Sequence, residues 1–205
     1  MKILHLSDTH GLHYKLKKLP PADVIVHSGD FTETGSEEQA IDFMNWFIGL
    51  PYQHKIFIAG NHDDCLYGAI NIEGLPDNVH YLCNSNCCID GVNFYGIPMF
   101  MEDYMDGKFG EFFQNIPEGT DVLITHQPPF GYCDLSDYGT GLNHHGNVEL
   151  LERVMKLHLH YHLFGHEHDA YGVEKHENTV FSNAAVVDNY YEFMETSNPR
   201  LFLYK

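Results

Sequence analysis

The chain has 205 residues, 43% of them hydrophobic and 20% charged, and its 29 acidic against 11 basic side chains give a formal net charge of −18. That length can bury a core without disulfide or metal staples; the apolar content excludes a disordered chain, and no run approaches the ~20 apolar residues of a membrane-spanning helix. Arg153 and Arg200 are the only arginines, so long nucleic acids and anionic membranes are not expected partners, because both are held by clustered Lys and Arg.

In chain order, apolar runs rich in Val, Ile, Leu and Phe predict strands over residues 3–6, 24–27, 56–59, 122–125 and 161–164. Lys15, Lys17 and Lys18 follow the first strand and read as a solvated face or a phosphate contact. Ser36 and Gln39 make a capping-box pair that opens a helix, with Ala40, Ile41, Met44, Phe47 and Ile48 at helical spacing until Pro51 stops it. Cys87, Cys88 and Ile89 face residues 92–95 across the hairpin turn Asp90-Gly91. Phe130, Tyr132 and Tyr138 form an aromatic loop that walls a cleft or packs inward. A second helix is expected from Asn147, and residues 171–176 pair with 179–183 across Glu177-Asn178. Strand and helix alternation argues for an α/β layered domain spanning 1–205. The five cysteines lack C-x-x-C spacing and read as reduced thiols. The first eight residues turn acidic too early for a signal peptide, so a cytoplasmic location is expected.

The metal-type residues sit directly after the predicted strands. Asp8 and His10, Gly29-Asp30, Gly60-Asn61-His62-Asp63, Thr125-His126 and Gly165-His166-Glu167-His168 all fall at carboxyl ends, the edge where ligands bind in open α/β sheets. Five clusters far apart in sequence should therefore converge. Asp8 and Asp30 offer hard anionic oxygens, Asn61 a neutral oxygen, and His126, His166 and His168 neutral nitrogens. This mixture favours Mn, Fe, Zn or Mg over thiolate-seeking metals. Cations there would also let so acidic a chain hold a phosphate. Asp30, between the early and late groups, is the natural carboxylate to bridge two ions. The remaining histidines, His5, His27 and His162 among them, are expected to be structural, while His144 and His145 stand between loop surface and substrate contact.

In this order, Asp8-x-His10, Gly29-Asp30, Gly60-Asn61-His62-Asp63, Thr125-His126 and Gly165-His166-x-His168 resemble the five blocks of the calcineurin-like metallophosphoesterase superfamily. Residues 29–32, 125–129, 164–172 and 179–184, with Asn198-Pro199, resemble its small single-domain members of the metallophosphoesterase-domain-containing type. The resemblance implies a layered α/β/β/α sandwich with mixed central sheets. It also implies two divalent cations, Mn first and Fe, Zn or Mg as alternatives, one held by Asp8, His10, Asp30 and His168 and the other by Asp30, Asn61, His126 and His166. His62 would be the general acid, its ring fixed by Asp63, and a hydroxide bridging the ions would attack a small phosphate ester, a diester above all. The alternative is a non-catalytic scaffold on the same fold. One departure is His144-His145-Gly146-Asn147, where related chains often carry a Cys after His-x-Gly.

Overall fold

The computed structural model describes residues 1–196 and 199–204, so Asn198 lies outside the described residues. The elements run β1 (Lys2–Leu6), β2 (Val24–His27), α1 (Glu37–Gly49), β3 (His54–Phe57), β4 (Val79–Tyr81), β5 (Ser85–Ile89), β6 (Val92–Ile97), α2 (Met101–Met105), α3 (Phe109–Gln114), β7 (Val122–Thr125), β8 (Leu135–Ser136), β9 (Asn143–His144), α4 (Val148–Val154), β10 (Tyr161–Phe164), β11 (Gly172–His176), β12 (Thr179–Asn183) and β13 (Arg200–Leu203).

Two mixed sheets form, with strand orders β13-β1-β2-β3-β4 and β11-β12-β10-β7-β6-β5, beside the short β8-β9 ribbon. In the first sheet β1 to β4 are parallel and β13 is antiparallel to β1. In the second, β6, β7, β10 and β12 are parallel, flanked by antiparallel β5 and β11. Ile3, Val24, Val26, Ile56 and Ile58 from one sheet share a buried cluster with Val92, Phe94, Val122, Ile124 and Leu163 from the other. The opposite face of the first sheet packs on α1 through Phe43 and Phe47, and that of the second on α3 and α4 through Phe113, Leu150 and Val154. The result is the expected α/β/β/α layering.

Most strands fall where the apolar runs place them, but β3 begins two residues early. His54 and Lys55 pair with Val24 and Ile25, and buried Lys55 keeps its ammonium satisfied by donating to the Tyr52 carbonyl at 3.0 Å. The helix after Ser36 is half of the expected capping box. Ser36 Oγ accepts the Gln39 N–H at 3.3 Å, while Gln39 Oε1 instead accepts from Glu33 N at 3.0 Å and Thr34 N at 2.9 Å, fastening the loop after Asp30 to the helix. The buried stripe runs through Ala40, Phe43 and Phe47, and Ile41 is left exposed. Phe43 stacks on Phe31 with ring centroids 4.3 Å apart. Truncating such a buried ring typically costs about 3–5 kcal/mol.

Candidate metal centre

Each candidate residue sits in the turn that leaves a parallel strand, and the turns are tied to one another through the backbone. Asp8 N donates to Gly29 O and His10 N to Asp30 O, both at 3.0 Å, and Gly165 N donates to His126 O at 3.1 Å. These turns are sharp. Asp8, His10, Asp30 and His166 have φ of 54°, 41°, 55° and 71°, a left-handed conformation that non-glycine residues hold at a cost and that clusters at functional sites. Two glycines are there for proximity. A Cβ on Gly60 would collide with the Asp30 carboxylate, and one on Gly165 with the Asp8 carboxylate and the Ser7 hydroxyl.

The side chains then form two groups that meet at Asp30. Asp8, His10 and His168 bring ligand atoms within 4.8 Å of one another, and so do Asp30, His126 and His166. Asp30 Oδ1 accepts the His62 backbone N–H at 2.8 Å. Its Oδ2 is left facing His126 Nε2 at 3.2 Å and His10 Nε2 at 3.7 Å. His126 Nδ1 lies 2.9 Å from the Ser28 carbonyl, and Nε2 lies 3.1 Å from Asn61 Oδ1. A carbonyl only accepts, so Nδ1 carries hydrogen and Nε2 is the nitrogen turned toward two oxygens. His168 is built alike, with Nδ1 donating to Asp188 O at 2.9 Å and Nε2 lying 3.4 Å from Asp8 Oδ1. His10 is buried with neither ring nitrogen hydrogen-bonded. Ligand-type oxygens and nitrogens converging on one another, together with orphaned buried nitrogens, are what cations satisfy, so the donor set fits divalent cations.

Electrostatics point the same way. Burial opposes the charge on Asp8, but its hydrogen bond with His168 and the proximity of His126 hold the carboxyl below the usual range. Burial is likewise outweighed at Asp30, mainly by His126, and that carboxyl is also held low. Burial drops His10 and His166 to about 4, leaving neutral nitrogens free to ligate. Burial also works against charge on His126, yet the Asp30 and Asp8 carboxylates push it up to about 10. A cation held among these atoms would take the place of that proton. Behind the site, burial keeps His5 and His27 neutral at about 3. His5 sits between the Ser182 and Ser28 hydroxyls at 3.0 and 2.9 Å.

One expected contact is absent. Asp63 does not orient the His62 ring. Its buried carboxylate accepts backbone N–H groups instead, from Asp30, Thr32 and Gly60 at 2.9, 2.9 and 2.8 Å and from Phe31 at 3.4 Å. The turn at 60–63 points this side chain back into the protein. The ring partner of His62 is the Glu33 carbonyl, 2.8 Å from Nδ1. His62 also groups geometrically with His10 and Asp30.

A cleft of about 500 Å³ opens over the centre, lined by Asp30, Asn61, His62, His166 and His168 and by residues the sequence reading passed over, chiefly Asp188, Asn189, Tyr190 and Tyr191. An Asp-Asn turn followed by paired exposed tyrosines was the available signal. Of the aromatic loop, Tyr138 reaches this cleft, whereas Tyr132 stacks on core residue Phe181 at 4.1 Å. His144 binds Asp134 at 2.6 Å and His145 packs on Tyr138 at 4.7 Å, and neither lines the cleft.

The sequence matches the calcineurin-like phosphoesterase family over residues 1–170. It is 33% identical over 208 residues to a UPF0046 protein of Caenorhabditis elegans, covering 90% of this chain and 69% of that one. It is 34% identical over 213 residues to human metallophosphoesterase domain-containing protein 1, covering 88% of this chain and 64% of the relative. A solved crystal structure superposes with a TM-score of 0.61 at 16% identity, over 90% of each chain, a likeness of fold alone.

Proposed function

We propose, on the premise that the chain belongs to the calcineurin-like phosphoesterase family, that this metal-dependent phosphoesterase hydrolyses small phosphodiesters at a centre of two divalent cations. The observation that carries this reading is the shared oxygen, Asp30 Oδ2, which faces one histidine nitrogen from each ligand group. Asp8, His10, Asp30 and His168 would hold one ion, and Asp30, Asn61, His126 and His166 the other. The ions, manganese first and iron, zinc or magnesium as alternatives, would supply the positive charge that lowers the pKa of water and neutralises phosphoryl oxygens.

The protein's own groups do the rest. Asp30 is held with one oxygen on the His62 N–H and the other toward both ligand groups, so its position costs no reorganisation during reaction. His62 spends Nδ1 on Glu33 O, which leaves Nε2 for the cleft, where the ring would protonate a departing alkoxide. A small substrate is favoured by the cleft's size and by the scarcity of basic residues, for among the described residues the lining contains no Lys or Arg to track a long polyanion. Among the described residues no helix is long and apolar enough to cross a membrane.

The test is a panel of aryl monoesters, aryl diesters, and 2′,3′- and 3′,5′-cyclic nucleotides, run on metal-stripped protein reloaded with Mn, Fe, Zn or Mg. Diester turnover above monoester turnover is expected, largest with Mn. No turnover with any ion would end the enzymatic reading in favour of a scaffold.

A further inference from the structure

Tyr191 occupies a place above the centre that no ligand or proton-transfer role yet explains. Its ring stands edge-on to His10 with centroids 4.8 Å apart and lies 5.6 Å from both His62 and His168. Its hydroxyl is 3.4 Å from His62 Nε2, the nitrogen left free by the bond to Glu33. The backbone there is at φ 60°, unusual for an aromatic residue, so something must hold it. Asp188 does: its Oδ1 accepts the Tyr190 and Glu192 N–H groups at 2.9 Å each, and its carbonyl accepts the Tyr191 N–H at 2.9 Å. That carbonyl also accepts from His168 Nδ1 at 2.9 Å, so one peptide oxygen sets both a ligand ring and the tyrosine beside it.

A phosphate in this cleft presents anionic oxygens that need cations or hydrogen-bond donors to meet them. Among the described residues no Lys or Arg lines it. Of the donors in the lining, the Tyr138 hydroxyl is committed to Glu167 and the Asn189 amide to Asp169, whereas the Tyr191 hydroxyl and the His62 ring stand together over the ligand groups, and phenols are protonated at neutral pH. We propose that Tyr191 is a further catalytic residue, its hydroxyl donating a hydrogen bond to a non-bridging oxygen of the substrate phosphate. This rests on the phosphoesterase reading above. The hydroxyl would then swing from His62 Nε2 to the phosphate as substrate arrives, leaving that nitrogen to face the departing oxygen.

The experiment is Tyr191→Phe, which removes the hydroxyl and keeps the ring, assayed beside Tyr191→Leu. Elemental analysis should find the metal content of Tyr191→Phe unchanged. Its kcat/KM should fall about 10- to 100-fold, the scale of a lost hydrogen bond to a charged acceptor, and equally on nitrophenyl and alkyl diesters, because the oxygen it touches is not the one that leaves. Calorimetric titration of the metal-loaded protein with inorganic phosphate should show affinity weakened by a similar factor. Tyr191→Leu should do no better than Tyr191→Phe. Unchanged phosphate affinity, a loss confined to alkyl esters, or lost metal would each overturn the assignment, the second by showing that Tyr191 acts through His62. A wild-type protein inactive on every ester would instead sink the phosphoesterase reading, and phosphate binding would still report on Tyr191.

Discussion

Asp63 stands directly behind Asp30: Asp63 Oδ2 accepts the Asp30 N–H at 2.9 Å and the Gly60 N–H at 2.8 Å, so one buried carboxyl group clamps two of the turns that carry candidate ligands. Burial and the neighbouring Asp30 push the Asp63 carboxyl up to about 7, against the pull of the Gly60 and Thr32 N–H groups; Asp63→Asn keeps the shape but presents an NH₂ group to these backbone donors. A loss on the order of 3 kcal/mol is expected, which for a chain of this size lowers Tm by about 6–12 °C. Metal should be lost as well, because Asp30 and Asn61 are no longer held. Unchanged melting and unchanged metal content would show that the clamp is dispensable.

Removing the metal should itself destabilise the protein. Without the ions, Asp30 Oδ2 and Asn61 Oδ1 both crowd His126 Nε2 at 3.2 and 3.1 Å, and the buried carboxylates have only imidazole protons to offset their charge. Ligands that bind only the folded state stabilise it by about 2.7 kcal/mol at one hundred times Kd, so chelation should lower Tm by about 5–11 °C and reloading should restore it. Asp30→Asn, which removes the charge shared by both groups, should bind little metal, lose turnover and melt like the chelated wild type. If Asp30→Asn retains two ions and wild-type rate, Asp30 is not the shared ligand.

Gly60 tests how tightly the centre is packed. An added Cβ would lie 2.6 Å from Asp30 N and 2.8 Å from Asp30 Cγ, besides its clash with Oδ1. Gly60→Ala must therefore move the carboxylate. Displacements of about 1 Å at a reacting centre cost on the order of 10²-fold, and a loss of at least that size in kcat/KM is expected. Gly119→Ala, with nothing within 4 Å of its Cβ, should change stability by less than about 1 kcal/mol and leave rate untouched. Equal behaviour of the two variants would mean the turn yields without cost.

Much of this arrangement was legible before the fold, because strand periodicity and the chemistry of the turns that follow strands are both local. Asp8, Asp30, His126 and His166 each follow a run that reads as a strand; parallel pairing brings the first two turns to one edge of the first sheet and the last two to one edge of the second, and packing of the sheets face to face joins the two edges. What could not be read is direction and distance. Asp63 adjoins His62 in sequence, but the turn sends its carboxylate toward backbone groups about thirty residues away. Tyr191 gives no periodic signal, and it meets His62 only because Val186 and Val187 follow β12 back to the site, where Val186 N donates to Ser7 O. The short helices α2 and α3 also escaped, since Phe109 and Phe113 bury one face of a segment too short to show a period.

His62→Ala separates a ligand from an acid. His62 groups geometrically with His10 and Asp30, so a ligand role must be tested, yet its Nδ1 is committed to Glu33 O and its Nε2 lies beside the Tyr191 hydroxyl. An acid at Nε2 matters in proportion to the basicity of the leaving oxygen: an alkoxide must be protonated as it departs, whereas a nitrophenolate leaves unaided, and the contribution is typically about 10²–10⁴-fold. The variant should therefore keep both metals, keep its Tm within about 2 °C, and lose far more kcat/KM on an alkyl or cyclic nucleotide ester than on a nitrophenyl ester. Comparing kcat/KM for the two substrates removes ground-state binding from the comparison. An equal loss on both with metal intact would make His62 a clamp on the phosphate rather than an acid. Loss of one metal would make it a ligand, and the Nε2 that faces the cleft would then belong to the centre itself.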